Sequence, residues 1–358
     1  MDEIPFLARK GRGAVSNYGS RFNTACSVPV DDGWPDQQDA DLAPSNATQV
    51  SVDTARTIIT RNSSPDVPFE QSVNPYRGCE HGCVYCFARP AHAYLGLSPG
   101  LDFETRLFCK PNAAELLTKE LSRPGYRCRP IALGINTDGW QPLERKLKIT
   151  RQIIEVMNEY KHPFSVVTKS ALIERDLDIL GPMAQQGLVE VALSVTTLDP
   201  ELARSMEPRA NAPHRRLRTI RTLADAGIPV TVLVAPLIPV LTDAELETIL
   251  AEARAAGASS AGYILLRMPH EIKHLFREWL EVHRPGMADH LFKRIREAHG
   301  GKDYDASFGT RMTGTGHYAG MLAQRFRSAC RKLGYCNSPT LRTEHFSPPA
   351  DATQMNLF

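Results

Sequence analysis

No stretch of this chain approaches the roughly 18 consecutive apolar residues that a bilayer-spanning helix requires, so the sequence offers no membrane span. Charge of one sign is not in excess either. The 42 Lys and Arg stand against 40 Asp and Glu, a formal net charge of +2. That balance removes any whole-chain signature of a polyanion binder and leaves only local basic patches to consider. Residues 1–13 lack the apolar stretch of a secretory signal, so a cytoplasmic location is expected. Cysteine, by contrast, is present eight times in 358 residues, at 26, 79, 83, 86, 109, 128, 330 and 336. In a long chain expected in the cytoplasm these thiols should stay reduced. Three of them fall within eight residues, which points to metal binding.

Hydrophobic residues make up 42% of the chain, enough for a packed core. Residues 1–65 are rich in Ala, Asp, Ser, Pro and Asn without periodicity and read as an irregular N-terminal arm, with the basic Arg9, Lys10 and Arg12 in solvent. From residue 66 the pattern changes. Short runs rich in Val, Ile and Leu at 71–76, 130–136, 164–168, 189–195, 229–234 and 261–266 have the character of buried parallel strands. Helical patterns at 146–160, 217–226 and 244–255 lie between them. Gly227 and Gly257 close the last two, and Thr242-Asp243 supplies an N-cap. About six βα units in this order predict an α/β fold, a partial (β/α)6 TIM-like barrel open on one side; a doubly wound open sheet has nearly the same rhythm. The core is expected over 66–272. A helical C-terminal extension follows over 273–336, with helices at 273–282, 287–298 and 317–333, and 337–358 reads as a flexible tail.

Cys79, Cys83 and Cys86 are spaced C-x3-C-x2-C on one loop after the first strand, with Gly78 and Gly82 permitting tight turns around a bulky group. Cubane iron–sulfur clusters are normally held by four cysteines. Three local ligands would leave one iron open, as catalytic metal sites keep a position for substrate. A zinc site completed by His81 or a distant cysteine is the competing metal reading, but zinc sites usually pair two close ligand pairs and no second close pair exists.

The pattern C-x3-C-x-aromatic-C, with Tyr85 as the aromatic, resembles the radical S-adenosylmethionine (SAM) superfamily. The resemblance implies a [4Fe–4S] cluster on Cys79, Cys83 and Cys86 whose open iron chelates SAM. It further implies reductive cleavage to methionine and a 5′-deoxyadenosyl radical that abstracts hydrogen from a substrate. A one-electron reductant such as a flavodoxin or ferredoxin would feed it. Residues 70–270 resemble the spore photoproduct lyase-like branch, through Asn136-Thr137-Asp138-Gly139-Trp140, Thr168-Lys169-Ser170, Leu193-Ser194-Val195-Thr196, Glu207-Pro208 and Ala235-Pro236. These stand at C-terminal strand ends, where barrel enzymes place working groups. By that resemblance Tyr85 lies near the adenine, and Thr137 and Asp138 near the methionyl end. Lys169 meets the SAM carboxylate, Ser194 reaches the ribose or methionyl group, and Glu207 and Arg215 join the same pocket. Two positions depart from the branch. Ile135 stands where the lyases carry a hydrogen-donor cysteine, and Phe87, which has no O–H, replaces the second tyrosine beside the cluster. The expected enzyme shares the engine and acts on another substrate, with nucleic acid as one candidate.

Other signals compete. His270-Glu271-Ile272-Lys273-His274 matches H-E-x-x-H, the pattern of a zinc-dependent hydrolase, but Pro269 places His270 in the first turn. Gly314-Thr315-Gly316 reads as the start of a helix rather than a dinucleotide site. Arginines at 204, 209, 215, 216, 218 and 221, and the basic group Lys293, Arg294 and Arg296, could track a nucleic-acid backbone, though without interleaved aromatics. Cys330 and Cys336 read as buried free thiols, with hydrogen donation as a second possibility. The alternatives to a radical enzyme are therefore a zinc hydrolase on His270, Glu271 and His274, or a non-catalytic iron–sulfur protein that binds nucleic acid.

Overall fold

The computed structural model describes residues 8–22 and 47–349. In chain order its strands are β1 (Gln49–Val52), β2 (Ile59–Arg61), β3 (Gln71–Val73), β4 (Tyr76–Arg77), β5 (Arg106–Cys109), β6 (Ile131–Leu133), β7 (Phe164–Thr168), β8 (Val189–Ser194), β9 (Val230–Leu237) and β10 (Ser260–Leu265). Strands β3, β6, β7, β8, β9 and β10 lie side by side in sequence order, all parallel, with β2 antiparallel on the outer edge of β3. This is the order of a (β/α)6 arrangement, and the sheet does not close. A second, small sheet joins β1, β5 and β4.

Strand alternation gives the sheet two unlike faces. Val73, Ile131, Leu133, Val166, Val191, Leu193, Val232 and Val234 are buried in one apolar core with Ile153, Ile154, Leu180, Ile220, Leu223, Ile249 and Leu250 of the helices. The opposite face carries smaller and more polar residues that remain half-buried: Ser165, Val167, Glu190, Ala192, Thr231 and Leu233. Lys169 and Ser194 share the parity of this inner face, one at the end of β7 and one at the end of β8.

The open side is bridged by one loop. Leu265 N, on the edge strand β10, donates to Met312 O (2.8 Å). Gly309 N donates to Asp66 in the β2–β3 connection (2.6 Å), and Arg311 pairs with the same carboxylate. Residues 309–312 span at most about 14 Å, so this short bridge requires the sheet to curl until its two margins approach one another.

Several expectations change. The helix expected at 146–160 is split, because Lys148 adopts a left-handed conformation (φ 54°) between Glu144–Leu147 and Ile149–Glu159. Thr242 precedes a 3-10 turn, Asp243–Glu245, that leads into the helix from Leu246, but its hydroxyl makes no capping bond and instead accepts from Ile238 N (2.9 Å). The arm is not wholly irregular, since β1 and β2 fall within it. Arg12 is not in solvent: it is 6% exposed and donates to Glu104 O (2.8 Å). Residues 336–347, all but the first within the expected tail, run under the N-terminal ends of the strands. Cys336 N donates to Ser259 O, Ser338 meets Thr231, Arg342 N donates to Gly187 O, Ser347 N donates to Tyr160 O, and Phe346 packs among Tyr126, Tyr160 and His162. Cys330 is half-buried and Cys336 exposed rather than buried; Cys26 and 350–358 lie outside the described residues.

Candidate functional site

The loop carrying Cys79, Cys83 and Cys86 stands over the C-terminal ends of the parallel strands. Its shape is set from inside. Arg89, wholly buried, donates to the carbonyls of Cys83 (2.8 Å), Gly82 (3.1 Å), Pro99 (3.0 Å) and Gly100 (2.8 Å) and pairs with the equally buried Glu104. The Glu104 carboxylate also accepts from the backbone N–H of Gly13 (3.0 Å) and Ala14 (2.8 Å), so the N-terminal arm is tied to the same clasp. A Cβ on Gly13 would meet Gly82 O at 1.9 Å, hence the arm can cross the loop only at a glycine.

From the outer side the loop is braced by the segment after β6. Thr137 Oγ1 donates to Gly78 O (2.7 Å), and Gln141 accepts from Glu80 N (2.8 Å). Asp138 accepts from Thr168 Oγ1 (2.8 Å), Lys169 N (2.9 Å) and Trp140 N (2.9 Å), and lies 3.3 Å from His81 Nδ1. Burial alone would push the Asp138 carboxyl up, but His81 and these donors together hold it below the usual range. Thr137 and Asp138 thus spend their polar atoms on holding the loop.

Across the mouth lies a second buried network. Tyr85 donates its O–H to Glu207 and lies 3.3 Å from Thr196 Oγ1; Thr196 also donates to Glu207 (2.8 Å), and Arg216 pairs with the same carboxylate. The Lys169 ammonium sits 5.8 Å from the Tyr85 ring centroid. Ser194 is 2% exposed at the end of β8. The structure therefore brings together Tyr85, Thr137, Asp138, Lys169, Ser194 and Glu207 around the cysteine loop. Arg215 is not among them. It points outward into a bidentate pair with Glu174 (2.7 and 2.7 Å), and the next residue, Arg216, faces the mouth instead. Adjacent helical residues point about 100° apart, and nothing in the run of arginines marks which one faces inward. Sequence reading also missed Arg89 and Glu104; Arg89 three residues after Cys86 was the available signal.

Cys79 and Cys83 are buried, Cys86 half-buried, and all three are free thiols. Burial pushes the Cys79 and Cys83 thiols up. Asp138 and the neighbouring cysteines add to this at Cys79, and Glu207 adds to it at Cys83, where Lys169 and Arg216 oppose it. The three sulfurs thus stand within one another's fields, in a site where thiolates need a positive group to neutralise them. A cubane cluster meets that need, and its ligands stand apart, one thiolate to each iron. Among the described residues no three His, Cys, Asp or Glu side chains converge on a single metal ion, which counts against the zinc readings.

The H-E-x-x-H segment does not form a zinc site. His270 has a left-handed backbone (φ 53°) before the helix Ile272–His283, Glu271 is paired with Arg21 (3.0 Å), and His274 stacks on Tyr18. Five of the nine residues in the basic runs are paired with carboxylates: Arg209 with Glu80, Arg215 with Glu174, Arg216 with Glu207, Arg294 with Glu297 and Arg296 with Asp303. The helix Gly316–Leu333 begins at the glycine-rich segment, as expected.

Residues 73–253 match the family described as the Radical SAM superfamily. The chain belongs to the radical SAM superfamily. An uncharacterized protein of Mycobacterium tuberculosis is 38% identical over 280 residues, covering 75% of this chain and 81% of that one. An uncharacterized protein of Methanocaldococcus jannaschii is 26% identical over 173 residues, covering 48% and 62%. Among solved structures, spore photoproduct lyase complexed with dinucleoside spore photoproduct superposes with a TM-score of 0.58 at 16% identity, covering 80% of each chain. A mutant of that lyase with bound AdoMet and dinucleoside spore photoproduct gives 0.56 at 15% identity, again covering 80% of each. The radical SAM chain described here thus has the fold of spore photoproduct lyase. Among the described residues no helix is long and apolar enough to cross a membrane.

Proposed function

We propose that this chain is a radical SAM enzyme in which Cys79, Cys83 and Cys86 hold a [4Fe–4S] cluster and SAM binds beside them at the mouth of the parallel sheet. The observation that carries this reading is the three-thiol loop, with Cys79 and Cys83 buried and Cys86 half-buried, fixed by the Arg89–Glu104 clasp over the strand ends. The chemistry supplied there with cluster and SAM bound is one-electron cleavage of SAM to methionine and a 5′-deoxyadenosyl radical that takes hydrogen from a substrate. The chain's own residues do the rest. Lys169 offers a mobile positive charge for the SAM carboxylate. Ser194 offers a hydroxyl on the inner face, and Tyr85, fixed by Glu207 and Arg216, presents a ring edge for the adenine. Thr137 and Asp138 act by positioning, through the loop they brace. The 309–312 bridge at the open side of the sheet limits water access, which radical chemistry requires. A flavodoxin or ferredoxin suits the electron supply. Repair of the spore photoproduct itself is disfavoured, since Ile135 and Phe87 remove the thiol and the phenol that hydrogen return would use.

The test is anaerobic reconstitution with iron and sulfide, followed by dithionite and SAM. Methionine and 5′-deoxyadenosine in equal amounts are expected. A fully loaded, reduced protein that forms neither overturns the reading.

A further inference from the structure

Tyr94 is the most exposed large hydrophobic side chain among the described residues, at 74%. Phe22, 53% exposed, lies against it with ring centroids 5.2 Å apart. Apolar side chains exposed singly are ordinary; two aromatic rings exposed against each other form a patch of the kind that marks a contact site. Arg21 ties the patch to its surroundings. Its guanidinium carbon lies 4.6 Å from the Phe22 centroid and 5.1 Å from that of Tyr94, and its Nη1 donates to Glu271 (3.0 Å). Beyond Glu271, Lys273 is half-buried with no carboxylate partner among the described residues, and His274 stacks on Tyr18 at 5.0 Å.

This surface adjoins the cysteine loop. Tyr94 belongs to the short helix Arg89–Leu95, whose first residue grips the carbonyls of Gly82 and Cys83. Lys273 and His274 belong to the helix Ile272–His283, whose inner residues Ile272, Phe276 and Trp279 share one buried cluster with Cys83, Val84 and Tyr85. None of the patch residues is among those gathered at the mouth. Their accessible charge is positive. Glu271 and Glu278 are buried and spent on Arg21 and Ser16, and Asp102 accepts from Ser98 N and Asn17. The first exposed carboxylate of the helix is Glu281, about two turns beyond Lys273. The arm segment 8–22 carries Arg9, Lys10, Arg12 and Arg21 and no Asp or Glu.

A second copy of this chain would set like charge against like charge, which disfavours that occupant. An acidic protein with an apolar contact face suits both the rings and the lysine. The reaction proposed above consumes one electron per SAM cleaved, and electron transfer weakens steeply with distance, so its donor must dock close to the loop. We infer that Phe22, Tyr94 and Lys273 form the docking surface for that donor, a small acidic one-electron carrier protein. The inference rests on the radical SAM reading and names the partner face of the same site. One electron passes from the reduced carrier to the cluster, which oxidises the carrier by one and reduces the cluster by one; no proton or group moves.

The test uses the reconstituted chain and a bacterial flavodoxin. Binding of the oxidised flavodoxin is measured by titration calorimetry, apart from any turnover. Formation of 5′-deoxyadenosine is then driven either by flavodoxin hydroquinone or by dithionite. The wild type should bind flavodoxin and accept its electrons. The double variant Phe22→Ser with Tyr94→Ser should lose about tenfold in both flavodoxin measurements, the scale of a truncated aromatic anchor, and Lys273→Glu about threefold. Dithionite rates should stay within about twofold at unchanged iron content, because a small reductant needs no docked patch. Raising salt should weaken the flavodoxin reaction and leave the dithionite reaction alone. A loaded chain that forms no 5′-deoxyadenosine with dithionite fails the enzyme reading, while flavodoxin binding still decides this one. No binding by the wild type, full binding by the double variant, or an equal loss with both reductants overturns the inference. So does a dimeric wild type that the double variant makes monomeric in light scattering, which would give the surface to a second copy.

Discussion

The two ends of the parallel sheet are built in opposite ways. At the C-terminal ends the loops are dense in buried charge: Arg89 with Glu104, Arg216 with Glu207, and Asp138 with His81. At the N-terminal ends the returning segment 336–347 lies against aromatic groups, with Phe346 packed on Tyr126, Tyr160 and His162. Buried charge is costly unless every group is paired, so its concentration at one end marks where geometry must be held for chemistry. The other end closes the molecule and contributes stability. The same division between working and supporting faces is general to βα barrels.

The largest expected effect breaks the inner clasp at the working end. Arg89→Ala leaves Glu104 buried without its partner and frees four carbonyls of the loop. A loss of about 3–5 kcal/mol is expected, together with most of the iron taken up on reconstitution. Denaturant unfolding and an iron assay check both; an unchanged midpoint with full iron would show that the loop does not depend on the clasp.

The supporting end should respond in stability alone. Phe346→Ala is expected to cost about 1–3 kcal/mol, reduced from the full-burial value because the ring is half-buried, with iron per folded chain unchanged. The same end should be acid-sensitive. Burial lowers the pKa of His162 to about 4, while an unfolded imidazole takes up its proton near 6.5. Protonation therefore favours the unfolded chain between those values, and stability falls as pH drops from about 6.5 to 4. Replacing His162 with Gln should flatten that part of the pH–stability curve; a slope as steep as in the wild type would remove His162 as its source.

Smaller effects separate residues within the working end. Lys169→Met should weaken SAM binding about tenfold while leaving stability within about 0.5 kcal/mol, since its ammonium lies over the Tyr85 ring and not in a buried ion pair. Smallest of all is Arg215→Ala, which removes a partly exposed pair with Glu174 worth at most about 1 kcal/mol and should leave SAM affinity unchanged. A titration in which Arg215→Ala weakens SAM binding as much as Lys169→Met would mean that the side chain turns inward in solution.

The contrast also explains what the residues disclosed in advance. The six parallel strands were readable because their apolar faces alternate against helices; Phe164–Thr168 matches its expected span and the other five differ by a few residues at their ends, whereas β1, β2 and β5 were not expected. The cysteine loop was readable from spacing; Lys169 and Ser194 were singled out by the family resemblance, and both stand at C-terminal strand ends. The arm and the tail were not. Neither has an apolar period, and each is held by a few distant contacts: Gly13 and Ala14 on Glu104, Phe346 on His162, Arg342 on Gly187. Such contacts are tertiary and leave no local pattern. The choice between Arg215 and Arg216 turned on helix phase, and Arg89 on a partner fifteen residues away.

The central claim is that three thiols on one braced loop hold the cluster. Iron and acid-labile sulfide, measured on anaerobically reconstituted wild type and Cys83→Ala side by side, test it most directly. About four of each per wild-type chain, with a large deficit and no 5′-deoxyadenosine in the variant, is the predicted result. A full complement of iron and sulfide in Cys83→Ala, or product formed without that thiol, would contradict it.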